Sequence, residues 1–146
     1  MINHVPVIGM PGAILLLIYA IVRKSEEMKR VTFGIVVLLA IMTIGVYLTG
    51  QAAEDMVKKL PGVTEAAIGR HEDIADLSLI LIEGLGVLAL AGLFFMHRSG
   101  SIPRWLVLIV LVLSLITAVI VGYTANLGGE IRHSEIRGPG SGFLVR

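Results

Sequence analysis

The sequence contains no cysteine, which removes structural disulfides, thiolate metal sites and covalent CxxCH haem attachment from consideration. Charge is scarce too: 16% of the 146 residues are charged, where an average soluble domain has about 25%. The formal net charge is only +1, too small to draw in a polyanion over a distance, so nucleic acid is not an expected partner. Neither a phosphate-binding loop nor the nucleophile constellation of a hydrolase occurs. The apolar stretches hold no lysine or arginine, and a single carboxyl group, Glu83, interrupts them.

What remains is 55% hydrophobic with a mean hydropathy of +0.89, the composition of an integral membrane protein. About 20 apolar residues cross a bilayer core as a helix. The chain offers four runs near that length, predicting spans over about 5–24, 31–50, 72–96 and 103–127, with a polar tail over 130–146. The expected fold is therefore all-α: an integral membrane four-helix bundle forming one domain over 1–146.

The first run lacks a basic region before it and a small-residue cleavage site after Ala20, so it reads as a retained helix rather than a removed signal peptide. Pro11 lies inside it, so the helix either starts near Pro11 or kinks there. Arg23–Arg30 is a charged turn with four basic and two acidic residues. After the second run, Gln51–Arg70 is long and polar; its first part continues the helix outward or forms a surface helix, and Pro61-Gly62 reads as a turn. Pro103 suits the first turn of the fourth helix, Trp105 and Tyr123 mark its two membrane boundaries, and Gly128-Gly129 is expected to end or loosen it.

Four spans put both termini on one side. The two tight turns concentrate Arg23, Lys24, Lys29, Arg30, Arg98 and Arg104, whereas basic residues on the opposite side are spread over a longer length. Basic density predicts cytoplasmic turns and outward-facing termini in a bacterial inner membrane.

This topology sorts the histidines. His4, His71 and His133 share the termini side with Glu54, Asp55, Glu72 and Asp73, while His97 falls at the far end of the third helix. His71 and His133 are the candidate pair, because Gly128-Gly129 would let the chain turn back over the bundle. Neutral imidazoles ligate haem iron and divalent transition metals; the alternative is that both are ordinary interfacial side chains. Glu54, just beyond the second span, would orient an imidazole through its second nitrogen, bind a metal itself, or cap the helix end.

Asp73, Asp76, Ile80 and Glu83 share roughly one helical face and form a polar path inward. Glu83 lies close to mid-membrane, where a carboxyl must face protein or a cavity. It is expected as a neutral acid hydrogen-bonded to Thr43, Ser114 or Thr117, with proton transfer or contact with a cofactor or quinone as the functional alternative. Gly84, Gly86 and Gly92 permit either close helix packing or room for a flat ligand.

Tyr47-Leu48-Thr49-Gly50 followed by Ala53-Glu54, then His71 with an acidic residue directly after it, and finally Tyr123-Thr124-Ala125-Asn126-Leu127-Gly128-Gly129 resemble the DUF2231 family of bacterial four-helix membrane domains. The resemblance spans roughly 31–133. It implies a redox-associated membrane protein, since some members are joined to cytochrome or Rieske-type domains. Thr49, Gly50, Glu54, His71, Gly128 and Gly129 would be the characteristic positions. The chain departs from the family's LGG-hydrophobic-Val-Tyr continuation with Glu130-Ile131-Arg132-His133, so a ligand role for His133 rests on chemistry and topology.

The functional expectation is a small haem b protein passing electrons within a larger redox assembly. Cofactor-binding candidates are His71, His133, Glu54 and Glu83, with His71 and His133 as metal ligands. Expected partners are the lipid bilayer, other membrane redox subunits or further copies of the chain, and a possible quinone. The alternatives are a structural or assembly subunit without a cofactor, and a membrane protein binding copper, iron or zinc.

Overall fold

The computed structural model describes residues 4–57 and 65–132, and they form four helices: α1 (His4–Val22), α2 (Glu26–Val57), α3 (Glu65–Ser99) and α4 (Arg104–Arg132). Each packs against two neighbours, with α4 closing the ring onto α1. All four are long and apolar enough to cross a membrane. This is a membrane four-helix bundle, the all-α class that the apolar runs predict.

The helices extend past the apolar runs. At 32 and 35 residues, α2 and α3 are roughly 48 and 52 Å long at 1.5 Å per residue, against a bilayer core of about 30 Å. The surplus lies beyond Gly50 in α2 and before Leu77 in α3, which are the same end of the bundle. Both helices thus rise above the apolar zone together. Pro11 lies inside an unbroken α1.

Helix boundaries are set by local chemistry. Ser25 caps α2, its Oγ accepting the Met28 N–H at 3.2 Å, and Glu26 and Glu27 place negative charge against the positive end of the helix dipole. α1 closes on paired bonds, Ser25 N to Ala20 O at 3.0 Å and Lys24 N to Ile21 O at 3.1 Å, with Lys24 in the left-handed region at φ 52°. Gly100, at φ 74°, closes α3 through its N–H to the Met96 carbonyl at 2.9 Å. The Pro103 carbonyl then accepts the first amides of α4, from Leu106 and Val107.

Phe33, Met10, Leu17, Ile82, Leu85, Leu106 and Val110 fill the axis of the bundle. Outside, apolar side chains are strongly exposed: Val119 by 73%, Ile80 and Val87 by 67%. In water such a girdle would cost about 25 cal/mol for each Å² left uncovered; lipid removes that cost. Trp105, at the start of α4, and Tyr123, toward the other end of its apolar run, are both exposed, the positions of interfacial anchors.

Three glycines bring helix backbones together. A Cβ at Gly86 would stand 2.6 Å from the Ala40 Cβ, one at Gly92 would collide with the Phe33 ring, and one at Gly9 with Leu39. At Gly86 and Gly92, therefore, the space that the sequence left open for a flat ligand is taken by α2. A Cβ at Gly84 meets nothing within 4 Å.

Opposite the long helix ends, the two tight turns are joined. One Glu26 oxygen accepts from Lys29 Nζ at 2.6 Å, and the other accepts the Ile102 backbone N–H at 3.1 Å. A single carboxylate thereby connects the turn after α1 to the turn after α3.

Candidate functional site

The polar end gathers side chains from three helices. Tyr47, three residues before the apolar part of α2 ends at Gly50, donates its hydroxyl to Asp76 Oδ1 of α3 at 2.7 Å. Across the α3–α4 contact, Ser78 Oγ and Thr124 Oγ1 are 2.8 Å apart, and each also reaches a carbonyl of its own helix, Ile74 at 2.8 Å and Ile120 at 2.9 Å. Thr124 Oγ1 also lies 3.4 Å from the Ile74 carbonyl, so α4 meets both the Ser78 hydroxyl and a backbone acceptor of α3 at this level.

His71 lies two turns closer to the end of the bundle. Its ring sits against Gly128, where an added Cβ would approach Cε1 to 3.2 Å and Nδ1 to 3.6 Å. Glycine at 128 is what lets the imidazole lie against α4. The ring is hydrogen-bonded to the Thr124 backbone carbonyl, while Nδ1 is buried with no partner among the described residues. In a neutral imidazole each nitrogen is either the N–H donor or the lone-pair acceptor, so Nδ1 is a buried polar atom whose hydrogen-bonding capacity is unused among the described residues.

α4 continues through Gly128 and Gly129 to Arg132, contrary to the expectation that these glycines stop it. A glycine costs a helix about 1 kcal/mol, less than leaving backbone groups unbonded beside the apolar zone. The turn back over the bundle that would carry residue 133 toward His71 thus does not occur at Gly128-Gly129. His133 itself lies outside the described residues. Glu54 falls on the last two turns of α2, at the same end as His71. His97, 26 residues along α3 from His71, is about 39 Å away and belongs to the opposite end.

Glu83 stands apart from this group, about 18 Å of helix below His71. Its expected hydroxyl partners do not bind it. Thr43 donates to the Leu39 carbonyl at 2.8 Å and Thr117 to the Leu113 carbonyl at 2.7 Å, the carbonyl four residues back that a helical threonine reaches in one of its rotamers. Glu83 Oε1 is buried without a hydrogen-bond partner among the described residues.

The residues that sequence reasoning passed over are Tyr47 and Thr124 as contacts, and Ser78. Tyr47 and Thr124 lie within the resemblance motifs, but only the packing shows what they touch. Residues 1–135, which include every side chain of this cluster, match the family described as "Predicted membrane protein (DUF2231)". The chain belongs to the DUF2231 family. No curated protein and no solved structure matches it. With four spanning helices, this DUF2231 chain is a multi-pass protein of the bacterial inner membrane. Among the described residues no group of three His, Cys, Asp or Glu side chains is close enough to enclose a metal ion.

Proposed function

We propose that this DUF2231 chain is a small membrane redox protein that binds haem b at its polar end through His71. The observation supporting it is the state of that imidazole: the ring lies beside the Thr124 backbone carbonyl, and Nδ1 is buried with no hydrogen-bond partner among the described residues. A metal-ligating histidine has this arrangement, because donation by the far nitrogen to a carbonyl fixes the tautomer and makes the near nitrogen a better donor. The donor chemistry fits haem iron, and His133, outside the described residues, is the proposed second axial ligand. Haem, when bound, supplies a one-electron couple. Gly128 admits the ring, Thr124 orients it, and Glu54 is the proposed carboxylate for a second imidazole. Glu83 lies too deep to share that site. The basic density of the two tight turns favours an outward-facing His71 end, with the larger redox assembly as the electron partner.

One observation favours a second reading. Nδ1 is flanked by its own Cβ and is more crowded than Nε2, which suits a compact ion of copper, iron or zinc better than a macrocycle.

The test is the cofactor content of protein purified in mild detergent from haem-replete cells. The expected result is non-covalent haem b with a low-spin reduced-minus-oxidised spectrum, which His71→Ala and His133→Ala abolish or convert to high spin and His97→Ala leaves intact. Colourless protein holding a stoichiometric metal that His71→Ala removes would establish the second reading. Protein with neither haem nor metal would refute both and leave a structural or assembly subunit.

A further inference from the structure

At the end of the bundle opposite His71, a pocket of about 490 Å³ opens between the start of α2 and the end of α3, lined by Arg30, Leu93, Met96, His97 and Gly100. Positions 93, 96 and 97 share one face of α3, Gly100 follows its last residue, and Arg30 faces them from α2. The pocket is divided by chemistry. Leu93 and Met96 make it apolar toward the membrane interior, while Arg30 and His97 make it a hydrogen-bond-donating, basic site toward the surface.

That division coincides with the edge of the bilayer. The apolar run of α2 begins at Val31, directly after Arg30, and that of α3 ends at Met96, directly before His97. Measured along either helix, the change from apolar to basic falls at one plane. A ligand that fills the pocket must therefore carry an anionic group and an apolar group in contact with each other, at the depth where a phospholipid carries its phosphate and the first methylenes of its chains.

The neighbouring charges leave Arg30 available. Glu26 is occupied by Lys29 and the Ile102 amide, Arg98 lies over the Phe94 ring at 5.9 Å from its centroid, and among the described residues Arg30 makes no ion pair. Arg30 also sits one turn from Phe33, whose ring is seated against Gly92. That close packing holds the start of α2 against the end of α3, the two elements that bound the pocket.

We propose that this pocket is a specific site for an anionic phospholipid, its phosphate held by Arg30 and His97 and the top of an acyl chain laid against Leu93 and Met96. Basic pockets between transmembrane helices hold lipid phosphates in this manner, the charge selecting the headgroup and the apolar wall excluding soluble anions.

The test is native mass spectrometry of the full chain in detergent, titrated with phosphatidylglycerol or phosphatidylcholine. Phosphatidylglycerol is expected to bind at least about fivefold more tightly, the contribution of one basic group near an anionic lipid. Arg30→Gln should remove that preference, Arg23→Gln, outside the pocket, should keep it, and Met96→Trp should weaken both lipids by filling the apolar half. Millimolar inorganic phosphate or glycerol 3-phosphate should leave the bound lipid in place. Equal affinity for the two lipids, an unchanged preference in Arg30→Gln, or unchanged lipid binding in Met96→Trp would overturn the proposal. Displacement by either soluble phosphate would overturn it in favour of a free-phosphate site.

Discussion

Gly84 and Gly86 lie two residues apart on α3 and make opposite predictions. Replacing either with alanine removes the same backbone freedom and gains the same helix propensity, about 1 kcal/mol, so propensity cancels in a comparison of the two variants. What differs is the space. At Gly84 the new methyl meets nothing within 4 Å, whereas at Gly86 it stands 2.6 Å from the Ala40 Cβ. Carbon atoms rest at about 3.5–4.0 Å, so the helices must separate by roughly 1 Å at that level. Ala40 has no rotamer with which to yield. Overpacking of this kind costs about 1–3 kcal/mol, and Gly86→Ala should be less stable than Gly84→Ala by that amount. Equilibrium unfolding in mixed micelles, titrating sodium dodecyl sulfate into a mild detergent and following helicity, measures the difference. Equal midpoints, or Gly84→Ala as the weaker protein, would refute the claim that α3 approaches α2 through Gly86.

Gly128→Ala should push the His71 ring by a few tenths of an ångström, at a stability cost below about 2 kcal/mol once helix propensity is credited, while Gly129→Ala, with nothing within 4 Å of the new methyl, should leave the ring untouched. Nitrogen-15 spectra of the His71 imidazole should separate the two variants. Lys24→Gly should raise stability by about 1 kcal/mol, because Lys24 holds a left-handed conformation that glycine adopts without strain; an unchanged unfolding midpoint would contradict that.

The fold is legible in the sequence because lipid imposes a single rule: a run of about 20 apolar residues with no free charge must be a helix. The predicted spans over 31–50 and 72–96 fall within two of the helices that are long and apolar enough to cross a membrane. Pairing across the bundle is not legible in the same way. Gly84, Gly86 and Gly92 look alike in the chain, and only the position of Ala40 and Phe33 distinguishes a helix contact from open surface. The polar end was half visible: His71 and Gly128 both stood out in the resemblance, but 57 positions separate them, and no local pattern says that one is seated on the other. Glu83 stood out as a buried acid. No hydrogen bond joins it to Thr43, Ser114 or Thr117 among the described residues; Thr43 and Thr117 donate to carbonyls of their own helices.

Glu26 also bears on how the protein is made. It belongs to the first helical hairpin, α1 with α2, and its amide partner, Ile102, belongs to the second, α3 with α4. Hairpins threaded into a bilayer gain little from hydrophobicity when they meet, because lipid tails are as apolar as leucine. Their docking depends on small-residue notches, such as Gly86 against Ala40, and on polar contacts with one permitted partner. The Glu26 bond can form only after both hairpins have crossed and the loop between helices three and four has emerged on the same side as the first turn. A second hairpin threaded the other way round would put Ile102 on the far side of the membrane from Glu26, so this bond belongs only to the arrangement in which both turns share one side.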